Sequence, residues 1–218
     1  MLHVNDKLEG VICIHVDDFI YGGNREFLAK VIDPLRQAFI IGSESTNAFK
    51  YLGLNLIQEE NQILIDQNVY IETIKNIDIN PDRKRYKNEP LTETELAEYR
   101  TLVGQLGWVA HQTRPDLSFD LCDLSSRFNC ATINDIFQAN KVLMKAKTNS
   151  VTLKIGINDL ENSHIVGYND ASFGNLPDGG SQGGYIIFLK SRMILIHPFH
   201  GSQRKYVELS RVPWQLKL

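Results

Sequence analysis

The chain has 218 residues, of which 43% are hydrophobic and 22% charged, a composition typical of a globular protein with a packed core. Its formal net charge of -3 excludes a protein that is basic throughout, so any contact with nucleic acid would depend on local basic patches. Three cysteines form no C-x-x-C pair, and no apolar run has the length of a membrane span or the pattern of a secretory signal. We therefore expect a reduced cytoplasmic or nuclear protein with no membrane partner.

The first predicted element is a β-hairpin around an acidic pair. Residues 11–14 and 19–21 are short runs of apolar, mostly β-branched or aromatic side chains, which favour strands. Asp17 and Asp18 lie between them at the expected turn. The pattern predicts a buried hairpin whose tip carries two adjacent carboxylates.

Three further elements are predicted in the first 80 residues from the spacing of apolar side chains. A proline inside a helical pattern interrupts it, because it lacks a backbone N–H. The predictions are a helix over 25–39 kinked or split at Pro34, a second hairpin from strands at 51–57 and 63–65, and a helix over 66–80.

The middle of the chain is predicted to be helical. Thr92 followed by Glu95 is a capping-box pattern, which predicts the start of a helix that ends near residue 112. Asp116 is expected to cap the next helix, which reaches residue 128, and a third helix is expected over 133–147.

Beyond residue 150 the pattern changes from helices to strands, which predicts a domain boundary there. Strands are expected at 151–155, 165–168, 184–189 and 193–196. The predicted fold is a mixed α/β (α+β) protein with three segments, namely 1–80, 81–150 and 151–218.

Asp17 and Asp18 are the first candidates for chemistry. Adjacent carboxylates repel each other unless a cation neutralises them, and Mg²⁺ prefers oxygen ligands of this kind. Polymerases use two such ions to orient an attacking hydroxyl and to stabilise the leaving oxygens. A bare Asp-Asp dipeptide is more often plain turn chemistry, so its surroundings decide between the two interpretations.

Those surroundings resemble the Pol polyprotein of Ty1/copia-type retrotransposons. The matches come in the order expected for that family, cover about residues 8–210, and lie in five stretches. They are His15-Val16-Asp17-Asp18, Phe49-Lys50-Tyr51-Leu52-Gly53-Leu54, Tyr99-Arg100-Thr101-Leu102-Val103-Gly104-Gln105-Leu106, Thr113-Arg114-Pro115-Asp116-Leu117, and Gly167-Tyr168-Asn169-Asp170-Ala171 with Ser181-Gln182-Gly183-Gly184-Tyr185.

The resemblance implies the end of a reverse-transcriptase palm, a helical connection region and a truncated RNase H-like β-meander. The parent enzyme would copy RNA into DNA with Mg²⁺ or Mn²⁺, and it would cleave the RNA strand of the hybrid. Asp17 and Asp18 would then hold metal for polymerisation, and Asp170 would hold metal for hydrolysis. The expected nucleic-acid contacts are Lys50, Tyr51 and Gly53 at the primer, with Arg83, Lys84, Arg85, Arg204 and Lys205 at phosphates.

Several departures from the family pattern predict a fragment that is catalytically incomplete alone. His15 replaces the usual tyrosine, and no upstream strand carries the further palm aspartate. The family's "L-S-S-T-E" stretch reads Leu209-Ser210-Arg211-Val212-Pro213 here, so its glutamate is missing. The expected partners are template–primer or hybrid, bound weakly, and a complementary polymerase segment.

Other interpretations stay open. The main rival is a non-catalytic, decayed or co-opted remnant that binds nucleic acid or protein, whereas a stand-alone metal-dependent hydrolase lacks a second acidic cluster. The glycine-rich residues 179–184 lack the ending of a phosphate loop and favour a turn. His197 and His200 have zinc-ligand spacing without a nearby acidic or cysteine partner, and Trp108 is expected in the core rather than in base stacking.

Overall fold

The computed structural model describes residues 2–4, 7–156, 164–174, 179–190 and 196–206. The fold is mixed α/β, with small antiparallel sheets and several helices. Two compact units are present, Met1–Ile57 and Gln58–Leu218. Within the described ranges, no helix is both long and apolar enough to cross a bilayer.

The first unit contains the predicted hairpin. Strands β1 (Leu2–Val4), β2 (Lys7–His15) and β3 (Asp18–Gly23) form an antiparallel sheet in that order. His15 pairs with Asp18, which leaves Val16 and Asp17 as a two-residue turn. The prediction of a hairpin is confirmed, but its tip is exposed rather than buried.

A continuous helical segment follows, and its helix type changes twice. It runs through α1 (Arg25–Phe27), a π-helical turn (Leu28–Ile32) and α2 (Asp33–Ala38), which contains Pro34 in its first turn. Pro34 cannot donate to the preceding turn, so the interruption predicted there occurs as a wider π turn.

The next hairpin differs from the prediction. Strands β4 (Ala48–Tyr51) and β5 (Leu54–Gln58) pair antiparallel, so a turn divides the single strand predicted at 51–57, whereas the strand predicted at 63–65 is confirmed. Leu52 and Gly53 form the turn with φ of 49° and 77°. Tight hairpin turns favour left-handed backbone of this kind, which glycine adopts readily.

The second unit begins with a strand and a short helix. Strand β6 (Gln62–Asp66) pairs with β7 (Leu153–Gly156), and α3 spans Asn68–Thr73. The helix predicted over 66–80 is therefore too long. Beyond α3 the Asn140 side chain bonds both the N–H and the C=O of Ile77, at 3.0 and 2.9 Å, and so provides hydrogen-bond partners outside a helix.

Three helices form the core of this unit. Helix α4 (Glu93–Gln112) begins at a capping box of Thr92 and Glu95, as predicted. Helix α5 (Ser118–Ser126) follows a 3₁₀ turn, and α6 (Ile133–Thr148) starts at a second capping box. Together with residues of α3 and of the segment after it, their apolar faces bury a cluster that includes Ile71, Ile74, Tyr99, Leu102, Leu106, Val109, Leu117, Leu124, Ile133, Ile136, Ala139 and Leu143.

A three-stranded antiparallel sheet completes the described chain. Its strands are β8 (His164–Ser172), β9 (Ser181–Lys190) and β10 (Ile196–Tyr206), in the order β10-β9-β8. The strands predicted at 165–168 and 184–189 are confirmed and are longer than expected. Of the strand predicted at 193–196, residues 193–195 lie outside the described residues.

Candidate functional site

The turn that carries Asp17 is strained. Val16 has a φ of 53°, and its side chain is 79% exposed. Left-handed backbone costs a non-glycine residue roughly 1–2 kcal/mol, and a β-branched side chain tolerates it poorly. Strain of this kind concentrates at functional sites, so the conformation of Val16 makes the two carboxylates that follow it candidates for a functional role.

Asp17 and Asp18 are exposed and unpaired. Neither side chain has a hydrogen bond or ion pair with any described residue. Within the same residues, no group of three His, Cys, Asp or Glu side chains could hold a metal ion. The hairpin therefore presents two free carboxylates, without a third ligand from the described chain.

The base of this hairpin is fixed by packing. Gly10 pairs with Gly23, and the buried Phe27 ring lies against both. Asn24 caps α1 by accepting the Phe27 N–H at 3.0 Å, and its own N–H donates to the Glu9 carbonyl at 2.9 Å. The tip is thus exposed, whereas the base is held against the first helical turn.

A charged cluster that the sequence did not reveal lies elsewhere in this unit. Arg36 donates to Glu44 Oε2 at 3.2 Å and to Asp33 Oδ1 at 2.7 Å, and the Tyr21 hydroxyl donates to Glu44. The hydrogen bond to Glu44 raises the pKa of Tyr21, and the Arg36 guanidinium lowers the pKa of Glu44. The charge of Arg36 is therefore engaged by these carboxylates.

The predicted primer-contact residues share the second hairpin. Lys50 is an exposed residue of β4, Tyr51 is half-buried beside the turn, and Gly53 is exposed within the turn. All three residues lie on the β4–β5 hairpin of the first unit.

The expected phosphate contacts Arg83, Lys84 and Arg85 differ in whether their charge is already paired. Arg83 donates from Nε and Nη2 to the two oxygens of Glu95, at 2.8 and 3.0 Å, and from Nη1 to Glu89 at 3.1 Å. Its charge is therefore used inside the unit, and it is a poor phosphate ligand. Lys84 and Arg85 are exposed and remain available.

Asp170 lies on β8 opposite Gly184, in a cleft of about 520 Å³. Among the described residues that line this cleft, it is the only acid, and its Oδ1 accepts the Ala171 N–H at 2.9 Å. The walls include the aromatic residues Phe119, Tyr168 and Tyr185.

Two of the predicted phosphate contacts lie on β10, a strand of which the structure describes the backbone alone. On β10, Arg204 pairs with Gly183 and Lys205 with Gln182. The side chains of this strand, including those of His197 and His200, are outside the described residues, as is the whole stretch 207–218.

Some residues of the five stretches that resemble the retrotransposon family have structural roles. The Tyr99 hydroxyl donates to the Leu124 carbonyl at 2.8 Å inside the core. Asp116 pairs with Arg114, so the prediction that it caps α5 is wrong. Trp108 is 41% exposed, so its expected place in the core is also wrong.

Comparison with known proteins adds no relative to these observations. The chain matches no protein-family model and no curated protein. Its function is inferred from its own residues and from the resemblance of its motifs.

Proposed function

We propose that this chain is a segment of a Ty1/copia-type retrotransposon Pol polyprotein. It comprises the end of a reverse-transcriptase palm, a helical connection and the start of an RNase H-like domain, and it acts in the cytoplasm or nucleus. The observation that carries the proposal is the exposed pair Asp17-Asp18. Asp17 shares the two-residue turn with the strained Val16, Asp18 begins β3, and neither carboxylate has a partner among the described residues.

The donor set of this tip fits a hard divalent cation. Mg²⁺ is often held by one or two carboxylates while water and substrate phosphates complete its coordination, and Asp17 and Asp18 supply two such groups without competing hydrogen bonds. When bound, Mg²⁺ or Mn²⁺ would assist attack by a primer 3′-hydroxyl. The hairpin contributes the position of the carboxylates, which is set by its base against Phe27.

Nucleic acid would contact exposed residues of the second hairpin and of the second unit. Lys50 and Gly53 are accessible for contacts with a primer backbone, and Lys84 and Arg85 for phosphates. Asp170 would be the corresponding acid for hydrolysis in the RNase H-like part. Among the described residues, each proposed centre has fewer carboxylates than two metal ions require, so a complementary polymerase segment would supply the others.

The second candidate is a non-catalytic remnant that binds nucleic acid or protein. It is favoured by the lack of a third carboxylate near Asp17 and Asp18 among the described residues. In this case the acidic tip has no metal to bind, and only the basic surface residues serve a function.

The two candidates are separated by Mn²⁺ binding, measured by electron paramagnetic resonance on the full chain with and without a primer–template. We expect binding that is lost in the Asp17→Asn/Asp18→Asn variant. The matched control is Glu59→Gln/Glu60→Gln, which removes another adjacent acidic pair, from the turn before β6. Binding that both variants lose equally, or that neither loses, would contradict a site at the hairpin tip.

The same variants provide a folding control and an activity assay. Because Asp17 and Asp18 repel each other and have no described partner, the aspartate variant should melt no lower than the unmodified chain in chelator. Primer extension on an RNA template should stay at background for the chain alone. Extension that disappears in Asp17→Asn would show that the chain completes a polymerase site by itself.

A further inference from the structure

The segment between α2 and β4 is exposed along its whole length. Residues 39–47 contain no helix or strand, and every residue among them is exposed. Phe39 and Ile40 are 61% and 103% exposed, and Ile41 is 41% exposed. Three consecutive exposed apolar side chains are unusual on a folded protein, where such a run is a fault unless it serves a function.

The backbone of this segment is available to a second molecule. Over residues 40–45, no backbone N–H or C=O has a hydrogen-bond partner among the described residues. Glu44 is the anchor of the segment, because its carboxylate accepts hydrogen bonds from Arg36 and from the Tyr21 hydroxyl. Exposed ion pairs of this kind are weak. The segment can therefore enter the binding cleft of another protein as an extended peptide, without the loss of a helix or a strand.

A second stretch without helix or strand has the opposite arrangement. Residues 74–80 follow α3, and their isoleucines Ile74, Ile77 and Ile79 are at most 8% exposed. The Asn140 side chain also bonds both backbone polar groups of Ile77. Apolar residues of an irregular stretch can thus be packed in this chain, whereas those of the segment between α2 and β4 are not.

We propose that residues 39–42 are a cleavage site for an endoprotease whose subsites accept apolar side chains. Proteolysis concentrates at exposed loops, and an extended peptide is recognised through its backbone hydrogen bonds and through pockets for its side chains. Hydrolysis of one peptide bond in this stretch consumes one water and leaves a carboxylate on the first fragment and an amino group on the second. The first fragment carries Asp17 and Asp18, and the second carries Lys50. The inference does not rest on the proposed polymerase function.

Limited proteolysis of the full chain with thermolysin and, separately, with elastase tests the site, and mass spectrometry identifies the fragments over a time course. Thermolysin cleaves before apolar residues and elastase after small aliphatic ones, so the sequence allows cuts in both 39–42 and 74–80. We expect cleavage in 39–42 to be at least about tenfold faster, because cleavage in 74–80 requires local unfolding. Equal rates in the two stretches, or no cut in 39–42, would overturn the proposal.

Two double variants separate recognition of the apolar side chains from exposure of the backbone. Ile40→Asp/Ile41→Asp should slow cleavage in 39–42 by at least about tenfold, because a carboxylate is costly in an apolar subsite. The matched control Ser45→Asp/Thr46→Asp adds the same charge to the same segment and should change the rate by less than about twofold. All four side chains are exposed, so both variants should melt at the temperature of the unmodified chain. Cleavage that both variants slow equally, or that neither slows, would contradict recognition of the isoleucines.

Discussion

At the scale of single residues, Arg114 belongs to one of the stretches that resemble the retrotransposon family, and its role in this structure is to stabilise the fold. It is 1% exposed, and its Nε and Nη2 donate to both oxygens of Asp116 at 2.9 Å. Its Nη1 donates to the carbonyl of Ala146, near the end of α6, at 3.0 Å. A buried guanidinium is costly unless it is paired, so these bonds hold the connection between α4 and α5 against α6.

The partner of Arg114 gives a prediction that depends on pH. The Arg114 hydrogen bonds hold the pKa of Asp116 below its ordinary value. A depressed pKa adds stability above the unfolded value of about 3.9, and that stability is lost as the pH falls through the folded value. Because the Asp116 side chain is 45% exposed, solvent screens part of this contribution, and we expect Asp116→Asn to lower the free energy of unfolding by about 1–2 kcal/mol at pH 7, and by progressively less below about pH 4.

Urea denaturation at pH 7, 4 and 3 measures this effect. Asp120→Asn is the matched control, because Asp120 forms a solvent-exposed ion pair with Lys145 at 3.1 Å. Such pairs contribute about 1 kcal/mol or less. Equal losses in the two variants would argue against a special role for the Arg114–Asp116 pair.

At the scale of elements, two glycines determine how the first hairpin packs. A Cβ at Gly10 would lie 2.2 Å from Phe27 Cγ, and one at Gly23 would lie 2.4 Å from Phe27 Cδ1. Contacts this short require the ring to move. The absence of a side chain at these two paired positions therefore allows Phe27 to cover the base of the acidic hairpin.

Gly10→Ala should destabilise the first unit by about 1–3 kcal/mol, because overpacking displaces Phe27. Gly22→Ala is the matched control, since a Cβ at Gly22 meets nothing within 4 Å. Hydrogen exchange of β2 and β3, together with chemical denaturation, measures both changes. Similar protection in the two variants would contradict the role given to Phe27.

At the scale of the whole molecule, the location of free positive charge limits how nucleic acid can bind. The chain has a net charge of -3, and the charges of Arg83 and Arg36 are engaged by carboxylates. Lys84 and Arg85 remain exposed on the second unit. Binding should therefore be weak and controlled by a few phosphate contacts.

We expect the chain to bind an RNA–DNA hybrid at low salt without cleaving it, because Asp170 is the only acid among the described residues of its cleft. Fluorescence anisotropy across a salt series should show the affinity for the hybrid falling as the salt concentration rises, with the modest slope that a few phosphate contacts give. Lys84→Ala/Arg85→Ala should reduce that slope by about two, whereas Arg83→Ala should mainly lower the melting temperature. Cleavage with Mn²⁺ that Asp170→Asn abolishes would contradict the expectation.

The sequence by itself determined the elements whose causes are local. Thr92 and Glu95 specify the start of α4 because both capping partners lie within one helical turn. The first hairpin and the strands around 165–168 and 184–189 follow from short apolar runs and turn residues. The position of Asp17 in the turn, next to Asp18 at the start of β3, is likewise a property of neighbouring residues.

Only the tertiary structure decided features whose partners are distant in sequence. The chain leaves the helix after Thr73, and Asn140, 63 residues beyond Ile77, bonds the backbone there. Arg83 is withdrawn from the basic surface by Glu95, and Trp108 is partly exposed although its sequence neighbours are apolar. Apolar spacing and charge indicate which residues can be buried or paired, but long-range hydrogen bonds and packing select which of them are.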